Sequence, residues 1–140
     1  MIKVSRLADY AVVVLATLIK SDGAAMSATS VAQVSHLPEP TVAKVLKLLA
    51  KDGLVVSTRG AGGGYKAGKS ADQVNIADII RSVDGPIALT ACVDGQEGSC
   101  SYSGNCPVHN RWDGVNNAVK HALESVTLAD MMPEAKQVAA

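Results

Sequence analysis

The chain has 140 residues, 48% of them hydrophobic, with three cysteines and a formal net charge of zero. That length suits one compact domain, or a small domain with an oligomerisation element, and leaves two full domains cramped. An odd cysteine count argues against a fully paired secreted scaffold, and the zero total argues on its face against a nucleic-acid partner.

The opening MIKVSRLADYAVVVLATLIK contains an apolar run, but Asp9 precedes it, Lys20 closes it and no small-residue cleavage site follows. The run is also shorter than the ~20 residues of a spanning helix. A cytoplasmic protein with no membrane partner is expected. The first predicted element is a helix from Asp9 to Lys20, with Tyr10, Val13, Val14 and Leu18 near a helical period and Ser21-Asp22-Gly23 ending it.

Ser27 or Thr29 caps a short second helix through Val34, whose Val31, Ala32 and Val34 are expected to face a core. Pro38 and Pro40 then break the pattern, because each restricts the residue before it. A third helix starts at about Pro40, since proline is tolerated in a first helical turn. Its Val42, Val45, Leu46 and Leu49 form an apolar stripe, while Lys44, Lys47 and Lys51 recur on another face. Asp52-Gly53 ends this helix.

Leu54 to Thr58 reads as a strand, Arg59 to Gly64 as a glycine-dense hairpin loop, and Tyr65-Lys66 as the start of a return strand. Helix, short helix, turn, basic helix and hairpin is the order of a winged helix-turn-helix over residues 1–69. There the basic helix enters the major groove, and the wing arginine reaches a phosphate or the minor groove. Gly60 and Gly62 keep the wing thin enough to approach the duplex backbone. Thr41 and Lys44 are candidates for base edges, with Lys47 and Arg59 as phosphate or groove contacts. A phosphate-cradling loop is the competing reading of the glycine run. It lacks a G-K-[ST] ending, and it leads into a strand rather than a helix.

The charge supports this division. Residues 1–69 carry nine Lys/Arg against four Asp/Glu, and residues 70–140 reverse the balance with four against nine. The front half is therefore suited to a polyanion and the back half to another task.

After a connecting helix within residues 70–90 comes C-x7-C-x5-C-x2-H, in which Cys92, Cys100, Cys106 and His109 make a four-donor set within residues 91–109. Such soft donors select zinc, copper(I) or an iron-sulfur cluster over magnesium or calcium. Pro107 can open a helix with Cys106 at its N-cap and His109 one turn in, where the helix terminus favours a thiolate. The following helix, over residues 107–132, carries Trp112, Val115, Val119, Leu123 and Val126 at three- and four-residue steps. A stripe this long points to pairing with a second copy as a homodimer. Residues 133–140 are expected to be a flexible tail. No catalytic constellation is present, so an enzyme is not expected.

With L-A-D-Y-A-V near the start, R-G-A-G-G-G-Y in the wing, V-N-I-A-D-I-I beyond it and three downstream cysteines, the chain resembles the IscR/NsrR-type family of winged-helix transcription regulators. The resemblance is strongest to the iron-sulfur biogenesis regulators at C-P-V-H-N-R-W. It implies a homodimer that binds double-stranded promoter DNA and carries a cluster that changes DNA affinity. It also implies Cys92, Cys100, Cys106 and His109 as ligands of a 2Fe-2S cluster. A neutral histidine ligand raises the reduction potential and is readily released, which suits a sensor. The first cysteine spacing is two residues longer than that family's. Asp9 stands where the nitric-oxide-sensing branch places a carboxylate ligand of a 4Fe-4S cluster, which makes it the alternative fourth ligand. Ala43 replaces a glutamate by which the biogenesis regulators choose between classes of DNA site. The function expected is a repressor switched by a cluster and controlling cluster-assembly genes. The alternatives are a nitric-oxide sensor, a DNA-binding protein with structural zinc at the same residues, and a small redox protein without duplex affinity.

Overall fold

The computed structural model describes residues 1–93, 100–102 and 104–133. It is mainly helical, with one two-stranded antiparallel hairpin, and has the winged helix-turn-helix arrangement expected from the sequence. Among the described residues no helix is long and apolar enough to cross a membrane.

Helix α1 spans Arg6–Lys20. It begins three residues before Asp9 because the Ser5 side chain accepts the Ala8 amide at 3.0 Å, satisfying one of the donors a helix start leaves free. Its buried face is Ala8, Ala11, Val14, Leu15 and Leu18. Val13, expected on that face, is 37% exposed. The chain then turns through Asp22 and Gly23, both at positive φ.

Helix α2 (Ala28–Ser35) is capped by Ser27, whose hydroxyl accepts the Ser30 amide at 3.1 Å. Val31 and Ala32 are buried, but Val34 is 62% exposed, against expectation. At 3.6 residues per turn Ser35, four residues after Val31, shares the buried side, and Val34 is rotated off it. His36 closes this helix in the left-handed conformation, with φ 60°.

Helix α3 (Glu39–Lys51) has Pro40 as its second residue, where the missing N–H costs no helical hydrogen bond. Val42, Val45, Leu46 and Leu49 are all fully buried, as their spacing predicts. They meet α1, α2 and the helix that follows the hairpin. Gly53, at φ 78°, turns the chain out of α3, and the Leu54 amide donates back to the Leu49 carbonyl at 3.1 Å.

The hairpin pairs β1 (Val55–Thr58) with β2 (Gly64–Ala67), in the register Val55↔Ala67 to Thr58↔Gly64. Met26 and Tyr65 exchange both backbone hydrogen bonds, at 2.9 and 2.7 Å, fastening the hairpin to the loop before α2. That approach requires glycine at position 64: its φ is 152°, and a Cβ there would lie 2.6 Å from the Met26 carbonyl oxygen.

Helix α4 (Ile76–Asp84) packs on α1 and α3, with Asn75 as its cap. A single 3₁₀ turn at Ala91–Val93 follows. The continuous helix expected over residues 107–132 is divided. Residues 107–111 form turns, with Asn110 at φ 59°, and α5 spans Trp112–Glu124. The chain then extends at Val126 and Thr127 before the one-turn α6, Leu128–Met131. The interruption has a definite cause. The Ile76 amide donates to Val126 at 3.0 Å, and the Leu128 amide to Val74 at 2.8 Å, which pulls the chain back onto the start of α4. Leu128 and Met132 thereby enter the core built by α1 to α4. Apart from Pro133, the expected tail lies outside the described residues.

Leu46→Ala is expected to lower stability by about 2–5 kcal/mol, the usual cost of emptying a buried leucine site. Val34→Ala should stay within about 0.5 kcal/mol. Urea unfolding of both variants checks this, and equal effects would contradict the placement of α2.

Candidate functional site

The buried stripe of α3 sets its rotation, and that rotation puts Lys44, Lys47 and Lys51 in solvent on the opposite side. Among the described residues none of these lysines is paired with a carboxylate. Thr41, in the first turn of the helix, is half-buried. Arg59, Gly60 and Gly62 lie exposed in the hairpin loop, which closes on itself through the Gly63 amide and the Gly60 carbonyl at 2.9 Å. A cationic helix face and a thin loop carrying one arginine match the geometry of duplex binding, where the first residues of the helix meet base edges.

At the start of α3 the structure also links two exposed residues that the sequence did not pair. The Thr29 hydroxyl donates to Glu39 Oε1 at 2.7 Å, joining the first turn of α2 to the first turn of α3. Because Ser27 is the cap of α2, the Thr29 hydroxyl is available for this bond. The sequence left the cap open between these two residues and so did not reveal the pair. Glu39 is exposed, favourable to the helix dipole, and the one acid of α3.

All three cysteines are free and half-buried. Cys92 lies in the 3₁₀ turn, where its sulfur shares a hydrogen bond with the Thr90 hydroxyl at 3.0 Å. Cys106 accepts the His109 amide on its carbonyl at 3.2 Å, so the histidine stands one turn beyond the cysteine, as expected. This turn is not the start of α5, however, and Cys106 is not that helix's cap. His109 is exposed, and Asp9 is exposed in the first turn of α1. Among the described residues no three Cys, His, Asp or Glu side chains stand close enough together to hold an ion. The lengthened loop lies mostly outside those residues, at 94–99. Three free thiols and an imidazole nevertheless fit the chemistry of a thiophilic metal or cluster.

Along α5 the expected stripe is divided by burial. Val119 and Leu123 are half-buried, whereas Trp112 and Val115 are 41% and 47% exposed. Val108, Arg111, Trp112 and Val115 line one shallow recess on that open face.

A family profile described as "Rrf2: Iron-dependent Transcriptional regulator" matches residues 4–134. The HTH-type transcriptional regulator IscR of Erwinia tasmaniensis is 38% identical over 84 residues, which cover 60% of this chain and half of that protein. The solved structure of CymR, described as the global cysteine regulator of B. subtilis, is similar with a TM-score of 0.70 at 32% identity, covering 94% of this chain and 96% of that one. The structure of T. potens IscR has a TM-score of 0.68 at 29% identity, covering 99% and 92%.

Two lysine substitutions separate the roles on α3. Lys47→Ala should weaken binding to all duplexes alike and reduce the slope of log affinity against log salt by about one. Lys44→Ala should instead relax base preference at one position, at a cost of about 1–3 kcal/mol. Salt-dependent fluorescence anisotropy on a cognate and a scrambled promoter fragment distinguishes the two.

Proposed function

The chain belongs to the Rrf2 family of DNA-binding transcriptional regulators rather than to any enzyme class, and on that premise we propose that it is a cytoplasmic, homodimeric repressor whose promoter affinity is switched by an iron-sulfur cluster, with cluster-assembly genes as its targets. The observation that carries this reading is the state of the cysteines. All three are free, all three are half-buried, and all lie in the segment that joins the DNA-binding half to α5. A structural likeness to T. potens IscR over 99% of the chain supports extending the comparison into that segment.

Cys92, Cys100 and Cys106 would supply thiolates and His109 the fourth, releasable donor of a 2Fe-2S cluster. When bound, the cluster supplies a redox-sensitive, removable cross-link between these residues. The chain does the rest. Three thiolates hold the group, and the imidazole on its exposed turn makes the site labile enough for occupancy to follow supply. The open face of α5, with Trp112 and Val115, pairs with its counterpart in a second copy. That pairing presents two basic helices and two wings to a palindromic site. Asp9 is the competing fourth ligand, and with it the reading becomes a 4Fe-4S nitric-oxide sensor.

Anaerobically purified protein is expected to be coloured, with at least one iron per chain. His109→Ala should change the visible spectrum and Asp9→Ala should not. The reverse pattern selects the nitric-oxide sensor. Colourless protein retaining one zinc per chain replaces the cluster with a structural metal.

A further inference from the structure

Asn116 is the only buried polar residue among those described, 7% exposed in the middle of α5. Its side chain leaves its own helix and grips another segment. The Asn116 Nδ2 donates to the Ile87 carbonyl, and its Oδ1 accepts the Leu89 amide, both at 2.9 Å. One amide thus satisfies a backbone acceptor and a backbone donor two residues apart. This is the pairing an adjacent strand would provide, made by a single side chain. The segment it holds leads directly to Cys92. Thr90 follows Leu89, its carbonyl accepts the Val93 amide at 3.2 Å, and its hydroxyl bonds the Cys92 sulfur at 3.0 Å. The turn containing Cys92 also packs against α5. From Asn116 to the Cys92 sulfur every link is therefore a hydrogen bond or a covalent step of at most three residues.

We propose that Asn116 is a positioning residue for Cys92, holding this thiol against α5 in readiness for a metal and coupling occupancy of the site to the helix. The proposal rests on the reading of Cys92 as a ligand. A buried amide with both functions satisfied has only small freedom to shift, because a lost bond leaves an unpaired polar group in the interior. Movement of Cys92 on binding or loss of a ligand would then pull on Ile87–Leu89, and through Asn116 on α5. Groups that orient a metal ligand without touching the metal commonly alter affinity by 10–100-fold.

The test uses the full-length reduced chain and cobalt(II) as probe, titrated anaerobically and read by thiolate-to-cobalt absorbance. Thermal melting and amide exchange at Leu89 accompany each titration. Asn116→Leu keeps the branched shape, with slightly larger methyl groups in place of the amide atoms, and removes both hydrogen bonds. Asn116→Asp keeps the acceptor for the Leu89 amide and loses the donor, and it serves if the leucine variant does not fold. The expected result is a cobalt affinity about tenfold or more below the parent for Asn116→Leu. A smaller loss is expected for Asn116→Asp, and the Leu89 amide should exchange faster in the leucine variant. Cys92→Ser should lose part of the charge-transfer band. If either folded Asn116 variant binds cobalt like the parent while Cys92→Ser does not, the positioning role is overturned and the ligand reading stands. If Cys92→Ser binds cobalt with an unchanged spectrum, Cys92 is not a ligand and both fall.

Discussion

The burial of one face of α3 is the constraint on which the rest of the molecule depends. Val42, Val45, Leu46 and Leu49 are completely removed from solvent. Each such side chain contributes about 1.5–3 kcal/mol relative to exposure, so rotation of the helix would cost several times the thermal energy. With the rotation set, Lys44 and Lys47 have no direction available but outward. The same packing holds α1 and α2 at the back of α3, and the Thr29–Glu39 bond joins the ends of α2 and α3. The proposed recognition surface is the hydrophilic remainder of a core-forming helix.

The back half is held in place by hydrogen bonds of two different kinds. Backbone hydrogen bonds at Val74–Leu128 and Ile76–Val126 bring α6 beneath the first four helices, where Leu128 is fully buried. At α5, a single amide, Asn116, secures the segment approaching Cys92. The segment that approaches Cys92 is thereby attached to a helix that itself packs on α4. Arg81 strengthens the tie by meeting Asp78 at 3.0 Å on its own helix and Glu124 of α5 at 3.7 Å, although such partly exposed pairs add little stability.

Much of this was legible in the residues because local periodicity and local chemistry coincide in the front half. The four-residue rhythm of α3, the cap at Ser27 and the glycine loop between two short strands each carry their signal within a few positions. Val34 was misplaced because α2 is only eight residues long, too short for periodicity alone to distinguish adjacent positions at the edge of its apolar face. The division of the last helix was invisible for another reason. Nothing between Glu124 and Leu128 forbids a helix locally, and the break comes from pairing with Val74 and Ile76, some fifty residues earlier. Asn116 likewise reads as an ordinary polar residue among helical neighbours, and the backbone it satisfies lies 27 and 29 residues away.

By itself the sequence determined the order of the helices, the two faces of α3, the basic front and acidic back, and the presence of four soft donors in one short segment. These follow from residue type and spacing, which act over one or two turns of chain. Only the tertiary structure decided which apolar residues stay exposed on α5, where the final helix breaks, that Glu39 is held by Thr29, and that the approach to Cys92 hangs on a buried amide. Those outcomes depend on groups distant in sequence competing for the same interior space and the same hydrogen bonds, and that competition is resolved only when the chain has closed on itself.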